Sequence, residues 1–115
     1  MKKILLVDDD HDMLDVVKLI LIQNGFNVRT NSNGYNLPQM INEYNPDIIL
    51  LDVRLPGKPG TELCKELKET FSLPVILFSA EPKILFSEWD ADDFIQKPFE
   101  INHLITVIKS HLKVA

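Results

Sequence analysis

The sequence predicts a doubly wound, three-layer α/β domain, because short apolar runs alternate along the chain with segments of helical periodicity. Strict alternation of this kind implies parallel strands joined by right-handed helical crossovers. The run Ile48-Ile49-Leu50-Leu51 is apolar at every position, as expected for a central strand covered by helices on both faces. A chain of 115 residues has the size of one domain, so we expect a single domain over residues 1–115.

Five short runs rich in leucine and β-branched residues are predicted to be the strands. They lie at residues 3–7, 26–30, 47–51, 74–78 and 93–96, and the second is the weakest.

The first two helices are predicted from apolar spacing and from the residues that end or begin a helix. The first carries an i, i+3, i+4, i+7, i+8 stripe formed by Met13, Val16, Val17, Ile20 and Leu21. Asn24-Gly25 is expected to end this helix. The second helix should start near Leu37, because Pro38 is tolerated only in a first turn.

Three further helices complete the predicted set of five. The third is predicted from a stripe of Leu63, Leu67 and Phe71. The last has the clearest stripe, formed by Ile101, Leu104, Ile105, Ile108 and Leu112, with Lys109 and Lys113 suited to its C-terminus. The fourth must fit within residues 80–92, so we expect it to be shortened to about two turns or irregular.

Composition excludes several classes of protein. A formal net charge of -5 without a basic run argues against direct nucleic-acid binding. Cys64 is the single cysteine, so neither an intrachain disulfide nor a thiol-based metal site is expected, and we predict a buried or half-buried helix residue there. No segment approaches the roughly 18 apolar residues that span a bilayer. The start does not resemble a signal peptide, so we expect a cytoplasmic protein with no membrane partner.

Polar side chains follow four of the predicted strands at the point where each strand ends. They are Asp8, Asp9 and Asp10 after the first strand, Asp52 after the third, Ser79 after the fourth and Lys97 after the fifth. The carboxyl ends of parallel strands meet at one sheet edge, so these side chains are expected to lie close together. At an effective dielectric of about 20, two carboxylates roughly 5 Å apart repel by about 3 kcal/mol. A divalent cation would remove that repulsion, and Mg²⁺ prefers such oxygen ligands.

This set of groups suits phosphoryl transfer to a carboxylate. An aspartate beside Mg²⁺ can attack a phosphoryl group and hold it as an acyl phosphate. A lysine and a hydroxyl can then bind the remaining phosphoryl oxygens. Each residue alone has a simpler interpretation: Asp10 and Asp12 suit helix capping and the helix dipole, Ser79 suits a turn, and Lys97 suits a solvated surface. The joint pattern favours the functional interpretation, because four successive loops carry matched chemistry.

Four motifs in chain order resemble those of the receiver domain of two-component response regulators, of the kind that chemotaxis regulators carry. The resemblance covers essentially the whole chain. The motifs are Ile4-Leu5-Leu6-Val7-Asp8-Asp9-Asp10, Ile49-Leu50-Leu51-Asp52-Val53-Arg54-Leu55-Pro56-Gly57, Val75-Ile76-Leu77-Phe78-Ser79-Ala80 and Asp93-Phe94-Ile95-Gln96-Lys97-Pro98-Phe99. Each is modest alone, but four in order at near-family spacing are highly specific.

The resemblance implies a flavodoxin-like sheet in the order 2-1-3-4-5 and a role for each site residue. Asp52 would accept a phosphoryl group from a histidine kinase or phosphotransfer protein. Mg²⁺ would be bound by Asp9 directly, by Asp8 through a water, by Asp52 and by the backbone carbonyl of Arg54. Lys97 would pair with phosphoryl oxygens, Ser79 would move to bond them, Phe94 would be the switch aromatic, and the Lys97-Pro98 bond would be cis.

Two departures concern the surroundings of the acceptor. Arg54 and Glu81 occupy the positions two residues past Asp52 and Ser79, and we hypothesise an ion pair between them that restricts attacking water. The shortened 80–92 segment alters the expected output face, which carries Leu85, Phe86 and Trp89. These three are expected mainly to pack in the core or at its edge, with a partner or self-association surface as the alternative.

The leading functional hypothesis is a stand-alone phosphoacceptor switch rather than an enzyme, with an unidentified downstream protein partner. The chain ends at Ala115 directly after the last predicted helix, so an attached output domain is not expected unless the chain is a fragment. One alternative is a receiver-fold interaction module that works without phosphorylation. A second is a haloacid dehalogenase-type phosphohydrolase, although Asp12 stands where that class has threonine.

Overall fold

A computed structural model of the protein describes residues 1–81 and 86–112. The strands are β1 (Lys3–Val7), β2 (Asn27–Asn31), β3 (Ile48–Asp52), β4 (Val75–Ser79) and β5 (Asp93–Gln96). The helices are α1 (His11–Gln23), α2 (Leu37–Tyr44), α3 (Gly60–Thr70) and α4 (Ile101–Leu112). Strands and helices alternate as the apolar pattern predicts.

The five strands form one parallel sheet in the order β2-β1-β3-β4-β5, which confirms the predicted order. The chain leaves β1 toward β2 on one side and reaches β3 on the other, so β1 and β3 are neighbours. Their carboxyl ends therefore lie side by side at the point where the strand order reverses, which is where ligands bind in open α/β sheets.

The number of helices differs from the prediction. Five were expected, and the described residues contain four α-helices. Between β4 and β5 the described residues form a 3₁₀ turn, Phe86–Trp89, where the fourth helix was expected. A 3₁₀ turn suits a connection too short for a full α-helix, because it is used in pieces of three or four residues. Residues 82–85 of this connection, including Leu85, lie outside the described part of the chain.

The core lies in two layers, one on each face of the sheet. Helices α1 and α4 cover one face and α2 and α3 cover the other. Residues Ile48–Leu51 are at most 1% exposed because both layers cover β3. Burying a leucine or isoleucine side chain contributes about 1.5–3 kcal/mol each, so this strand anchors the fold. Within the described residues, none of the helices combines the length and apolar character needed to cross a membrane.

Two predicted helix stripes differ from the buried faces. In α1 the buried residues are Leu14, Val17 and Leu21, whereas Val16 is 57% exposed. Met13 and Ile20 of the predicted stripe also pack against the core, so the spacing identified most of the buried face and was wrong at Val16. The apolar residues of α1 extend around more of the helix than the sheet can cover. In α4, Ile101 is 52% exposed because it stands in the first turn, while the other predicted stripe residues are buried. Lys113 lies outside the described residues.

Strands β2, β3 and β4 each lie one residue later than predicted. Pro74 has no N–H to donate to the ladder, so β4 begins at Val75. As a consequence, Asp52 and Ser79 are the last residues of their strands rather than the first residues of loops. Helix α3 ends at Thr70, so Phe71, which was expected on its stripe, is extended backbone that packs beside the core.

Candidate functional site

Two buried carboxylates meet at the carboxyl edge of the sheet. Asp8 follows β1 and Asp52 ends β3, and the pairing of Val7 with Leu51 places them on adjacent strands. Asp8 is fully buried, Asp52 is 4% exposed, and Asp9 is exposed beside them. One oxygen from each of the three carboxylates lies within 4.8 Å of the others. The structure thus brings together the three acidic side chains predicted to bind a metal.

Backbone amides hold both buried carboxylates in place. The Oδ1 of Asp8 accepts a hydrogen bond from the amide of Asp10 at 3.0 Å, and the Oδ1 of Asp52 accepts one from the amide of Arg54 at 3.3 Å. Asp10 itself caps α1, because its Oδ1 accepts from the amides of Asp12 at 3.0 Å and Met13 at 3.2 Å. The capping interpretation of Asp10 is therefore confirmed, and it is Asp10 rather than Asp8 that caps α1.

Lys97 provides the cationic group of the cluster. Its Nζ lies 2.9 Å from Oδ2 of Asp8 and 3.4 Å from Oδ1 of Asp52. The lysine side chain is 17% exposed, so most of this ion pair is shielded from water. The backbone amide of Lys97 donates to the carbonyl of Ser79 at 2.8 Å, and the Lys97-Pro98 bond is cis, as expected. The ammonium is thus fixed between two carboxylates rather than solvated.

The cluster perturbs the acidity of Asp52. Burial, followed by the neighbouring Asp8 carboxylate, raises the pKa of Asp52 from 3.8 to about 7, against the opposing effect of the Lys97 ammonium. A single ammonium therefore leaves negative charge in the pocket uncompensated. The donor set consists of carboxylate oxygens, which are hard ligands of the kind that Mg²⁺ prefers. The residues present fit a divalent cation, and the Arg54 carbonyl stays a predicted ligand.

The hydroxyl and the aromatic residue of the predicted switch lie on neighbouring strands. Ser79 is 1% exposed, and its Oγ accepts a hydrogen bond from the amide of Glu81 at 3.1 Å. Phe94 is half-buried on β5 and packs against the core layer under α2 and α3. Leu77 pairs with Phe94 and Ser79 with Gln96, so Phe94 lies one strand away from the hydroxyl.

Arg54 and Glu81 form an ion pair between the β3–α3 and β4–β5 loops. The Nη2 and Nε atoms of Arg54 lie 2.9 and 3.1 Å from the same oxygen, Oε1 of Glu81. Their side chains are 78% and 47% exposed. The pairing hypothesised from the sequence is present, and it links the loop that follows Asp52 to the loop that follows Ser79.

The described part of the altered β4–β5 connection packs at the edge of the core. Trp89 is half-buried against the layer formed by α2 and α3, and Ala91 is buried there. For Trp89 this confirms the expectation of packing at the core edge. The expected contributions of Leu85 and of the Phe86 side chain lie outside the described residues.

Gly60 is a site residue that reasoning from the sequence missed. A Cβ atom at this position would lie 1.9 Å from the backbone carbonyl oxygen of Asp52. The Gly60 amide donates to the carbonyl of Val53 at 2.8 Å, so the first residue of α3 is held against the end of β3. The available signal was Pro59-Gly60, since a proline before a glycine marks a turn but does not reveal a close approach.

Comparisons with known proteins agree with this geometry. The model of the response regulator receiver domain family matches residues 4–109. A BeF3-activated N-terminal receiver domain of RstA from Klebsiella pneumoniae is similar, with 29% identity, a TM-score of 0.93, and coverage of 98% of this chain and 100% of that one. A putative response regulator from Chloroflexus aurantiacus has 32% identity, a TM-score of 0.90 and 98% coverage of both chains. NtrX from Brucella abortus has 34% identity and a TM-score of 0.85 over 96% of this chain and 27% of that one.

Proposed function

The chain belongs to the response regulator receiver domain family, and from that premise we propose that Asp52 is the phosphoacceptor of a signalling switch. The domain is the receiver of a two-component response regulator. Its donor would be a phosphohistidine on a histidine kinase or phosphotransfer protein. The observation that carries the proposal is the convergence of Asp8, Asp9, Asp52 and Lys97 at one sheet edge.

Phosphoryl transfer would proceed by attack of an Asp52 carboxylate oxygen on phosphorus. The new O–P bond forms as the P–N bond to the donor imidazole breaks, and the imidazole leaves with the electron pair and takes up a proton. The attacking oxygen must be unprotonated, and a pKa of about 7 leaves a substantial fraction of Asp52 protonated at neutral pH. Cations near the carboxylate would lower that pKa and increase the reactive fraction.

The surrounding residues would each interact with a different part of the negatively charged phosphoryl group. Bound Mg²⁺, held by Asp8, Asp9, Asp52 and the Arg54 carbonyl, would neutralise negative charge on the transferring group. The Lys97 ammonium, now within 3.4 Å of Asp52, would pair with a phosphoryl oxygen. The Ser79 hydroxyl would exchange its hydrogen bond from the Glu81 amide for one that it donates to another phosphoryl oxygen.

Phosphorylation would change partner binding through β5. If Ser79 moves toward Asp52, the space beside Phe94 changes, and a half-buried phenylalanine can take a more buried rotamer. The surface formed by β5, α4 and the turn Phe86–Trp89 would then differ between the two states. The downstream protein would bind one state better, which shifts the equilibrium by its differential affinity.

The reverse reaction would be slow hydrolysis of the acyl phosphate. Water attacks phosphorus, the P–O bond to Asp52 breaks, and inorganic phosphate and the carboxylate are released. The domain would therefore act only on its own carboxylate. We infer that the Arg54–Glu81 pair, which links the loop after Asp52 to the loop after Ser79, hinders the approach of this water.

Intact mass spectrometry after incubation with acetyl phosphate and Mg²⁺ tests the proposal. The expected result is a gain of about 80 Da, the mass of one phosphoryl group, in wild type and none in Asp52→Ala. No gain in wild type would overturn the proposal in favour of a phosphorylation-independent interaction module. Sustained turnover of a small phosphate ester would instead indicate a phosphohydrolase.

A further inference from the structure

The ring of Phe78 lies directly beneath the Lys97 ammonium. The Nζ atom is 4.5 Å from the centroid of the ring. An ammonium within about 6 Å of an aromatic face is attracted by the negative potential of that face, most strongly when water is excluded. Phe78 is 3% exposed and Lys97 is 17% exposed, so this contact is largely desolvated.

The fold fixes the ring independently of the lysine. Phe78 belongs to the core layer under α1 and α4, one residue before Ser79 on β4. It pairs with Asp52 on one side and with Ile95 on the other. The ring is therefore held by packing in the central part of the sheet and presents a fixed surface to the ammonium.

The other two contacts of the ammonium are to groups that have a second function. Asp8 and Asp52 are proposed metal ligands, and Asp52 is also the proposed acceptor. A metal ion or a phosphoryl group that engages these carboxylates competes for the same oxygens. Phe78 has no such second partner, because a phenyl ring neither binds Mg²⁺ nor accepts a phosphoryl group.

We propose that Phe78 is a positioning residue that keeps the Lys97 ammonium beside Asp52 when the carboxylates are engaged elsewhere. The inference rests on the proposed phosphoacceptor function and deepens it. A lysine side chain has many rotamers, and a lysine without the ring would spend more of its time away from the phosphoryl oxygens. Phe78 thus acts through Lys97 and does not itself touch the reacting atoms.

Graded fluorination of the Phe78 ring tests this role with little change in shape. Replacing Phe78 by 4-fluoro-, 3,5-difluoro- and 3,4,5-trifluorophenylalanine weakens the negative face stepwise while the core packing stays nearly constant. We expect the acetyl phosphate reaction to slow with each step, by about 3- to 10-fold at the trifluoro variant. The thermal midpoint should stay close to that of wild type.

The same series at Phe26 is the matched control. Phe26 is 6% exposed in the same core layer, and among the described residues no cation lies over its ring. Fluorination there should leave the rate unchanged. A rate that falls equally in both series, or in neither, overturns the positioning role.

A second measurement reports on the lysine without metal or phosphate. In metal-free protein the ε-methylene resonance of Lys97 should be shifted upfield by the ring current of Phe78, and Phe78→Leu should abolish that shift. An unshifted resonance in wild type overturns the inference. If wild type takes up no phosphoryl group while the shift is present, the proposed function fails instead, so the two failures are distinguishable.

Discussion

The carboxyl edge of the sheet and the connection from β4 to β5 differ in what positions their residues. At the edge, Asp8 and Asp52 extend strands that are buried on both faces, so the strand register places them. The connection over residues 80–92 contains a short 3₁₀ turn, and Trp89 and Ala91 pack its described end against the core. The proposed phosphoryl chemistry and its proposed readout therefore involve separate parts of the structure, and mutation should separate them.

Gly60→Ala should have the largest effect, because it acts on the edge itself. The added Cβ would lie 1.9 Å from the Asp52 carbonyl, so α3 or the acceptor strand must move. We expect a loss of about 3 kcal/mol in the free energy of unfolding from overpacking. Misplacement of the acceptor should also slow phosphorylation by about 10- to 100-fold. Urea denaturation and acetyl phosphate kinetics measure the two effects.

Gly25→Ala is the control for this substitution. Gly25 has a φ of +90°, but among the described residues other than its two chain neighbours no atom lies within 4 Å of the position that an added Cβ would occupy. The alanine there should cost about 1 kcal/mol through backbone strain alone and leave phosphorylation unchanged. Wild-type phosphorylation kinetics in Gly60→Ala would contradict the claim that the close approach positions Asp52.

The raised pKa of Asp52 makes the stability of the metal-free protein depend on pH. The pKa in the fold is about 7, above the usual 3.8, so at intermediate pH the folded state keeps a proton that the unfolded chain has lost. The stability that this bound proton contributes is fully present below pH 3.8, the pKa of Asp52 in the unfolded chain, and is lost as pH rises through the folded pKa of about 7. From pH 5 to 8 its loss should decrease the free energy of unfolding by about 2–3 kcal/mol.

Urea denaturation in EDTA at several pH values measures this dependence, with Asp52→Asn as the control. The variant cannot ionise at this position, so its stability curve should lack this decrease. Equal slopes for the two proteins would show that Asp52 is not the group responsible. The Mg²⁺ affinity of wild type, measured by calorimetry, should rise over the same pH interval.

Trp89→Ala should affect stability without affecting the site. A half-buried tryptophan at the core edge should contribute about 1–2 kcal/mol to the free energy of unfolding, less than a fully buried one. Its removal leaves the strand ends in register, so the rate of phosphorylation by acetyl phosphate should stay within about twofold of wild type. A decrease in the phosphorylation rate as large as that expected for Gly60→Ala would mean that the β4–β5 connection and the carboxyl edge of the sheet are coupled.

Sequence reasoning succeeded where one local property decides the structure. Continuous apolar runs require strands covered on both faces, and the residue that ends each run then lies at the sheet edge, as Asp52 and Ser79 do. It failed at one position of the α1 stripe, where Val16 continues the apolar spacing but is exposed. Spacing identifies a helix, whereas the position of the sheet determines which part of the apolar surface is buried.

Contacts between residues that are far apart in the sequence could not be predicted from the spacing of apolar residues. Gly60 and the carbonyl of Asp52 meet only after α3 has packed on β3. The sequence shows Phe78 only as one apolar residue of a strand, and its contact with Lys97 depends on the register between β4 and β5. The ion pair of Arg54 with Glu81 could be hypothesised because both residues follow strand ends on adjacent strands.

Arg54→Ala should have the smallest effect on stability and a selective effect on the lifetime of the phosphorylated state. The pair is exposed, so its loss should change the free energy of unfolding by less than about 1 kcal/mol. If the pair hinders water, dephosphorylation should become about 2- to 5-fold faster, a factor that corresponds to an interaction of this size. Glu81→Ala should give the same acceleration, and the double variant should add little to either, because both single changes break one contact.

Lys58→Ala is the matched control, since Lys58 lies in the same loop and its pair with Glu66 is also exposed. Removing that pair should have a comparable effect on stability but no effect on the decay of the phosphorylated protein. Intact mass spectrometry after removal of the phosphodonor measures this decay. Unchanged decay in Arg54→Ala would exclude the water-restricting role. Equal acceleration in Lys58→Ala would point to general loosening of the loop. A selective effect of Arg54 would show that the β4–β5 connection acts on the edge at one point, through Glu81, although the two regions are otherwise separable.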